Sequence, residues 1–274
     1  MKMLPKISIV TPSLNQGQFI ERTIISVLIQ DYPNIEYIVM DGGSTDNTQE
    51  ILKKYDDRLI WKSEPDTGQS NAINTGFKIA TGEIISWINS DDFYDKNTFF
   101  FVAQHFLKCR KCSLLYGNLT HVDMNGQFMA YYSGPNLDIN KLIHIDPHGI
   151  RQPATFFRRS ALMESGLLDE NLFSVMDYDL FIRLGRIDPF CFINKNLAFY
   201  RFHENAKSIR MDLKIKQARE ILQVSRKYGG KITDPIIFKL LKHISLHFLR
   251  LHTKDYLYYV RIWRKTKSFF KQFK

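Results

Sequence analysis

The first ninety residues constrain the fold most, because strand-like and helix-like segments alternate there with few residues between them. Short β-branched runs fall at Ile7–Val10, Ile35–Met40 and Ile84–Ile88, with a weaker one at Leu59–Lys62. Between them, Phe19, Thr23, Val27 and Leu28 recur at helical spacing, and Thr48–Tyr55 and Ser70–Ala80 read as two further helices. Asp46 followed by Gln49 predicts a capping box opening the middle helix. Strands joined by helices of this length pair in parallel through right-handed crossovers, so the expected class is α/β with a Rossmann-like sheet.

In an open parallel sheet, ligands bind beyond the carboxyl ends of the strands. Following each predicted strand to that edge gives Thr11, Pro12 and Ser13, then Asp41 to Ser44, then Glu64 with Asp66, then Asn89 to Asp92. Asp, Gly, Ser and Asn populate turns for conformational reasons alone. Carboxylates after successive strands, with no matching cations, ask for a divalent ion or for the O–H and N–H donors of a ligand. The first strand is followed by TPSLNQGQF, which is no G-x-G-x-x-G, and no G-x-x-x-x-G-K-[ST] occurs anywhere. A dinucleotide dehydrogenase and a P-loop are therefore not expected.

Later segments differ in texture. Leu114–Leu119 and Gln127–Tyr132 read as strands flanking a turn at Asp123–Gly126. Asp177–Arg186 reads as a helix, and Phe190–Phe202 as extended chain. After Met211 the pattern is helical. Ile237, Leu240, Leu241, Ile244, Phe248 and Leu251 form one apolar stripe, and a basic, aromatic helix is predicted over about Tyr256–Phe270. Charge divides along the same line. Of 38 Lys and Arg and 28 Asp and Glu, residues 207–274 hold 18 and 4, leaving 20 and 24 in residues 1–206. A mildly acidic body thus carries a strongly basic tail, which suits an anionic surface. With the basic residues confined to the tail, a duplex footprint is not expected, and no nucleic-acid partner is assigned.

Apolar residues at 44% and charged residues at 24% describe an ordinary globular chain and exclude disorder. No run reaches the roughly 18 apolar residues of a membrane span. The opening MKMLPKISIV lacks the charged lead and apolar core of a signal peptide, and three cysteines make no disulfide framework, so a cytoplasmic setting is expected. Cys109 and Cys112 have zinc-ligand spacing, but no second pair exists. Reaching four ligands means enlisting Cys191 and His105, so buried or idle thiols are expected. Trp87, inside a strand, is expected in the core.

The stretches SIVTPSLNQGQFIERTIISVLIQ, IEYIVMDGGSTDNTQEIL and GQSNAINTGFKIATGEIISWINSDD resemble the first half of family 2 glycosyltransferases with the GT-A fold. QPATFFRR and MDYDLFIRLG resemble the acceptor side of bacterial non-processive members, including those that build O-antigen and other surface polysaccharides. The resemblance implies an α/β mixed sheet with flanking helices over residues 1–208, divided into a nucleotide-binding half (1–95) and an acceptor-side half (96–208). Residues 209–274 would then be a basic helical extension.

The resemblance also implies an inverting enzyme that takes a sugar from a nucleoside diphosphate sugar, with UDP favoured. By position, Thr11, Pro12, Ser13, Asp41, Gly43 and Asp66 belong to the nucleotide pocket, with Asp41 able to accept from a uracil-type N–H. Asn89 to Asp92 matches the D-x-D element. Asp91 would hold ribose hydroxyls, and Asp92, aided by His203, would ligate Mn2+ or Mg2+. Asn89 stands where a carboxylate is common. Asp177 is the expected base and Asp179 its rival; a helix N-cap is the structural alternative for Asp177, and Asp179 has Arg183 at the spacing of a surface ion pair. Arg158 and Arg159 are candidates for an anionic acceptor headgroup, or else a solvated helix start.

The implied acceptor is a saccharide on a polyprenyl diphosphate, and the basic tail would hold the protein on the inner face of the bacterial cytoplasmic membrane. Neither Q-x-x-R-W nor a membrane span is present, so addition of one or a few sugars is expected. A non-catalytic nucleotide-sugar-binding protein is the alternative, and a basic-tail nucleic-acid-binding protein a more distant one.

Overall fold

A computed structural model describes residues 4–203, 206, 213–231 and 233–235. The β-branched runs form the expected strands, β1 (Ile7–Ser13), β2 (Ile35–Asp41), β3 (Ile60–Ser63) and β4 (Ile84–Trp87). The crossover helices are α1 (Ile20–Leu28), α2 (Thr48–Lys53) and α3 (Gln69–Ile79). All four strands are parallel, in the order β3-β2-β1-β4. The register aligns Ser13 with Asp41 and Asp41 with Ser63, so β1, β2 and β3 end together at one edge.

The remaining elements are β5 (Phe93–Tyr94), α4 (Thr98–Lys108), β6 (Leu114–Val122), β7 (Phe128–Tyr132), α5 (Ile139–His144), a 3-10 turn (Gln152–Ala154) and β8 (Thr155–Arg158). They are followed by α6 (Arg159–Ser165), α7 (Met176–Ile187), β9 (Phe190–Arg201) and α8 (Lys214–Lys227). β8 lies antiparallel between β4 and β6, and β6 runs parallel to β9 over most of its length. The sheet is therefore mixed, nine-stranded and continuous from β3 to β5, with β7 paired to the far half of β6.

Helices cover both faces of the sheet, which is why β1 and β4 are buried residue by residue. On one face Val10, Ile38, Met40, Ile85 and Trp87 pack with α3, α6, α7 and α8, so Trp87 is a core residue as expected. On the other, Ile7, Ile9, Tyr37 and Val39 pack with α1 and α4. α8, the start of the basic extension, is built into the first of these cores through Ala218, Ile221 and Val224. Its Glu220 accepts hydrogen bonds from the backbone N–H groups of Phe173 and Ser174. The apolar stripe Ile237–Leu251 and the helix about Tyr256–Phe270 lie outside the described residues.

The predicted turn at Asp123–Gly126 forms: Asp123 Oδ1 accepts from the N–H of Asn125 and Gln127, and Gly126 takes φ 82°. The capping box at Asp46 does not. Asp46 accepts from the N–H of Thr48 and of Gly17, while Gln49 donates to the Ser44 carbonyl. The carboxylate is taken by the neighbouring loop, and Asn47 becomes the residue before the helix.

Candidate active site

The strand ends are stitched into one platform by hydrogen bonds that run across the chain. Gly42 N–H donates to the Ser13 carbonyl and Glu64 N–H to the Asp41 carbonyl. Asp41 accepts from Ser44 N–H and Oγ, and from Ser63 Oγ at 2.6 Å. The loop after β1 is tied to the same turn: Asn15, in left-handed backbone at φ 53°, donates its N–H to Ser44 Oγ and accepts from Thr45 N–H.

Above this platform opens a cavity of about 610 Å³, within the range of small-ligand sites. Its wall includes Pro12, Ser13, Asp66, Asn89, Asp91, Asp177 and His203, seven of the residues expected from sequence. They come from five separate segments. Pro12 and Ser13 end β1, Asp66 follows β3, and Asn89 and Asp91 follow β4. Asp177 lies in the first turn of α7, and His203 just beyond β9. Gln217 and Ile221 of α8 complete the wall.

His203 Nε2 lies 2.9 Å from Asp91 Oδ2. The imidazole packs against Phe19 at a tilt, with centroids 4.8 Å apart. Asp92 behaves differently from its neighbour. It is 1% exposed and lies off the cavity wall, and its Oδ1 accepts from Arg201 N–H at 2.9 Å. Burial, with the Asp91 charge added, pushes its carboxyl well above the usual range, and Oδ2 is buried without a hydrogen bond. The structure thus sets the two expected carboxylates in different surroundings. The chain turns sharply after β4, so consecutive carboxylates face opposite ways: Asp91 meets His203 at the cavity, and Asp92 anchors the turn to β9.

Three other expected residues stand off the main cavity. Thr11 is fully buried with its hydroxyl 3.1 Å from Tyr37 Oη, inside the core beneath the sheet. Asp41 lines a small adjoining cleft with Glu64, Asp66, Asn71 and Thr75, and Asp66 belongs to both spaces. Gly43 adopts φ 82°, which lets the turn double back beside Pro65. Its neighbour Gly42 matters as much: a Cβ there would sit 2.8 Å from Asp66 Oδ2.

Asp177 is half-buried, and its Oδ1 accepts from Tyr178 N–H at 2.8 Å. Val175 precedes the helix, so Asp177 is not its N-cap. Asp179 is fully buried, with its carboxylate bound to Arg183, Lys227 and Tyr228. Burial raises its pKa, but those three partners outweigh it and hold the carboxyl below the usual range. The pair with Arg183 exists but is buried, not superficial. Arg158 and Arg159 also depart from expectation. Arg158 donates to the carbonyls of Phe106 and Cys109, and Arg159 to that of Ala80, at the edge of the sheet away from the cavity.

Sequence reasoning missed Arg151 and His121, which both line the cavity. Arg151 stacks on Tyr132 at 4.4 Å. Burial, and then the nearby Arg151 charge, lower the His121 pKa. It also missed Arg201, which donates to the Asp91 carbonyl and to Met124 from beneath the site. Its only signal was position, two residues before His203.

Residues 8–166 match the family model described as glycosyl transferase family 2. An uncharacterized glycosyltransferase of Rickettsia felis is 32% identical over 217 residues, covering 74% of this chain and 35% of the relative. A chondroitin synthase of Pasteurella multocida is 28% identical over 199 residues, covering 70% of this chain and 20% of that protein. The chain thus spans about a third or less of the length of these relatives. Among solved structures, S. aureus TarS in complex with UDP-GlcNAc superposes with a TM-score of 0.63 at 19% identity, covering 80% of this chain and 66% of TarS. The mannosyltransferase PcManGT from Pyrobaculum calidifontis, in complex with GDP-Man and Mn2+, gives 0.63 at 15% identity, covering 97% and 81%.

Proposed function

Because the chain belongs to glycosyl transferase family 2 and has the GT-A fold, we propose that it moves a sugar from a nucleoside diphosphate sugar to an acceptor hydroxyl with inversion at the anomeric carbon. The observation that carries the reading is that Asp177 and the Asp91–His203 pair line one cavity.

Each group has a physical task. The cleft holding Asp41 and Asp66 offers carboxylate acceptors to the N–H and O–H donors of a nucleoside, and UDP is the nucleotide we assign. Asp91 and His203 present a carboxylate oxygen and an imidazole nitrogen at hydrogen-bond distance. This hard oxygen and borderline nitrogen would suit Mn2+ or Mg2+. When bound, such an ion supplies Lewis-acid stabilisation of the departing diphosphate. Arg151 adds a fixed positive charge on the same wall.

Asp177 takes the proton of the acceptor hydroxyl. Its Oδ1 accepts from Tyr178 N–H, and its place in the first turn of α7 puts it at the positive end of the helix dipole. Placing this base in the donor cavity favours transfer over mere binding.

We further assign the acceptor to a polyprenyl-diphosphate-linked saccharide in surface polysaccharide synthesis, with the basic tail against anionic lipid. The charge count supports this, and no helix among the described residues is long and apolar enough to cross a membrane. Thermal-shift screening of nucleotide sugars, with and without Mn2+, tests the donor reading. A UDP-sugar should raise the melting temperature, and more so with the ion, since a ligand selective for the folded state stabilises it by mass action. No shift with any nucleotide sugar and Mn2+ refutes it.

A further inference from the structure

Away from the cavity, at the opposite end of β6 and β9, four side chains from three segments converge. His105 and Cys109 lie four residues apart at the end of α4, so they share a helix face. Cys112 follows in the short loop before β6. Cys191 is the second residue of β9, in register with Leu115. Ligand atoms of His105, Cys109 and Cys191 all lie within 4.8 Å of one another. The fully buried Cys112 lies beside Cys191 and Cys109, its thiol donating to the Leu114 carbonyl.

We propose that His105, Cys109, Cys112 and Cys191 form a structural zinc site of one imidazole and three thiolates.

Geometry is the first support. A Zn–S bond of about 2.3 Å places two sulfurs of a tetrahedral site about 3.8 Å apart. The sulfurs of Cys109 and Cys191 are separated by 3.7 Å. The C-x-x-C spacing of Cys109 and Cys112 is the usual one for a zinc knuckle, and β9 supplies the ligand that sequence alone could not join to it. The second support is an unmet polar atom: His105 Nε2 is buried with no hydrogen-bond partner.

Charge is the third. Three thiolates and a neutral imidazole around a dication leave one net negative charge. Arg158 stands beside the site, its guanidinium donating to the Cys109 carbonyl at 2.6 Å and stacking on Phe106. The ion would add a cross-link between the end of α4 and the paired strands β6 and β9, and a bond to the folded state adds directly to stability.

The test uses the full chain, expressed with zinc and purified under reductant without chelator. Mass spectrometry of metals should find one zinc per chain that survives gel filtration and is released by a thiol-specific mercurial. Reloading with Co2+ should give the visible bands of a tetrahedral ion together with thiolate-to-metal charge transfer. Cys191→Ser should abolish both zinc retention and the charge-transfer band. Because that variant risks misfolding, thiol alkylation of the unaltered chain is run alongside: zinc should protect all three cysteines, and its removal should expose them and lower the melting temperature. Background zinc in the unaltered chain, a cobalt spectrum without thiolate bands, a disulfide in the reduced preparation, or alkylation indifferent to zinc each overturns the proposal.

Discussion

Asp177 and Asp179 stand two residues apart on α7 and face opposite ways, the first into the cavity and the second fully buried against Arg183, Lys227 and Tyr228. Helical geometry separates side chains at i and i+2 by more than half a turn. Substitution should therefore split the two. Asp177→Asn should keep the melting temperature and donor binding while lowering turnover about two to four orders of magnitude, the range for loss of a general base. Asp179→Ala should cost about 2 to 4 kcal/mol of stability, because it empties a buried site and takes the shared carboxylate from Arg183, Lys227 and Tyr228. Chemical denaturation and single-turnover assays read the two effects separately.

The Asp91–His203 pair makes a second division measurable. His203→Ala and Asp91→Asn should each weaken the Mn2+-dependent part of donor binding by about ten- to a hundred-fold, a typical loss when a metal site is disturbed. Asp92→Asn should leave the Mn2+ response in place, since that side chain lies off the cavity wall and bonds to Arg201 N–H. Calorimetry of a UDP-sugar with and without Mn2+ distinguishes these outcomes. Loss of the Mn2+ response only in Asp92→Asn would return the metal to Asp92.

Gly76 on α3 packs directly against Val10 of β1, and a Cβ there would overlap the valine side chain. Gly76→Ala should therefore destabilise by about 1 to 3 kcal/mol through overpacking, despite the better helix propensity of alanine. A midpoint in urea equal to or above that of the parent chain would show that α3 shifts freely on the sheet.

Glu36 provides a pH signature. Burial raises its pKa, but hydrogen bonds from Lys6, Ser8 and Thr81 outweigh this and bring it to about 2, from 4.5. A carboxyl depressed in the folded state contributes stability that is fully present above its unfolded value and is lost as pH falls towards the folded one. The parent chain should thus lose stability between about pH 4.5 and 2, and Glu36→Gln should lose less over that window. Parallel pH profiles for the two proteins would remove Glu36 from the acid response.

How far the sequence foretold this depended on whether the information was local. β1, β2, α1 and α3 were readable because apolar periodicity alone sets which faces are buried. The carboxylates at the strand ends were readable for the same reason: parallel strands bring their ends to one edge. What escaped were partnerships between distant segments. The capping box failed because Asp46 bonds to Gly17, and Thr11 left the pocket because its hydroxyl meets Tyr37. Which of Asp91 and Asp92 meets His203 escaped as well, because a tight turn and the approach of β9 decide it. Arg151 was silent for a related reason: nothing in HGIRQPATFF shows that Tyr132 will hold it on the cavity wall.

The wall of the cavity is assembled from residues as early as Pro12 and as late as Ile221. A ribosome that has translated the whole stretch matching the family model, to residue 166, has made every strand of the nucleotide platform but neither Asp177 nor His203. Domains gain their structure as units during synthesis, and a chain halted at residue 166 lacks α7, β9 and α8, three of the elements that line the cavity. The wall closes only when the segment from Ser174 to Ile221 has been added, so the order of synthesis is also the order in which the cavity is built.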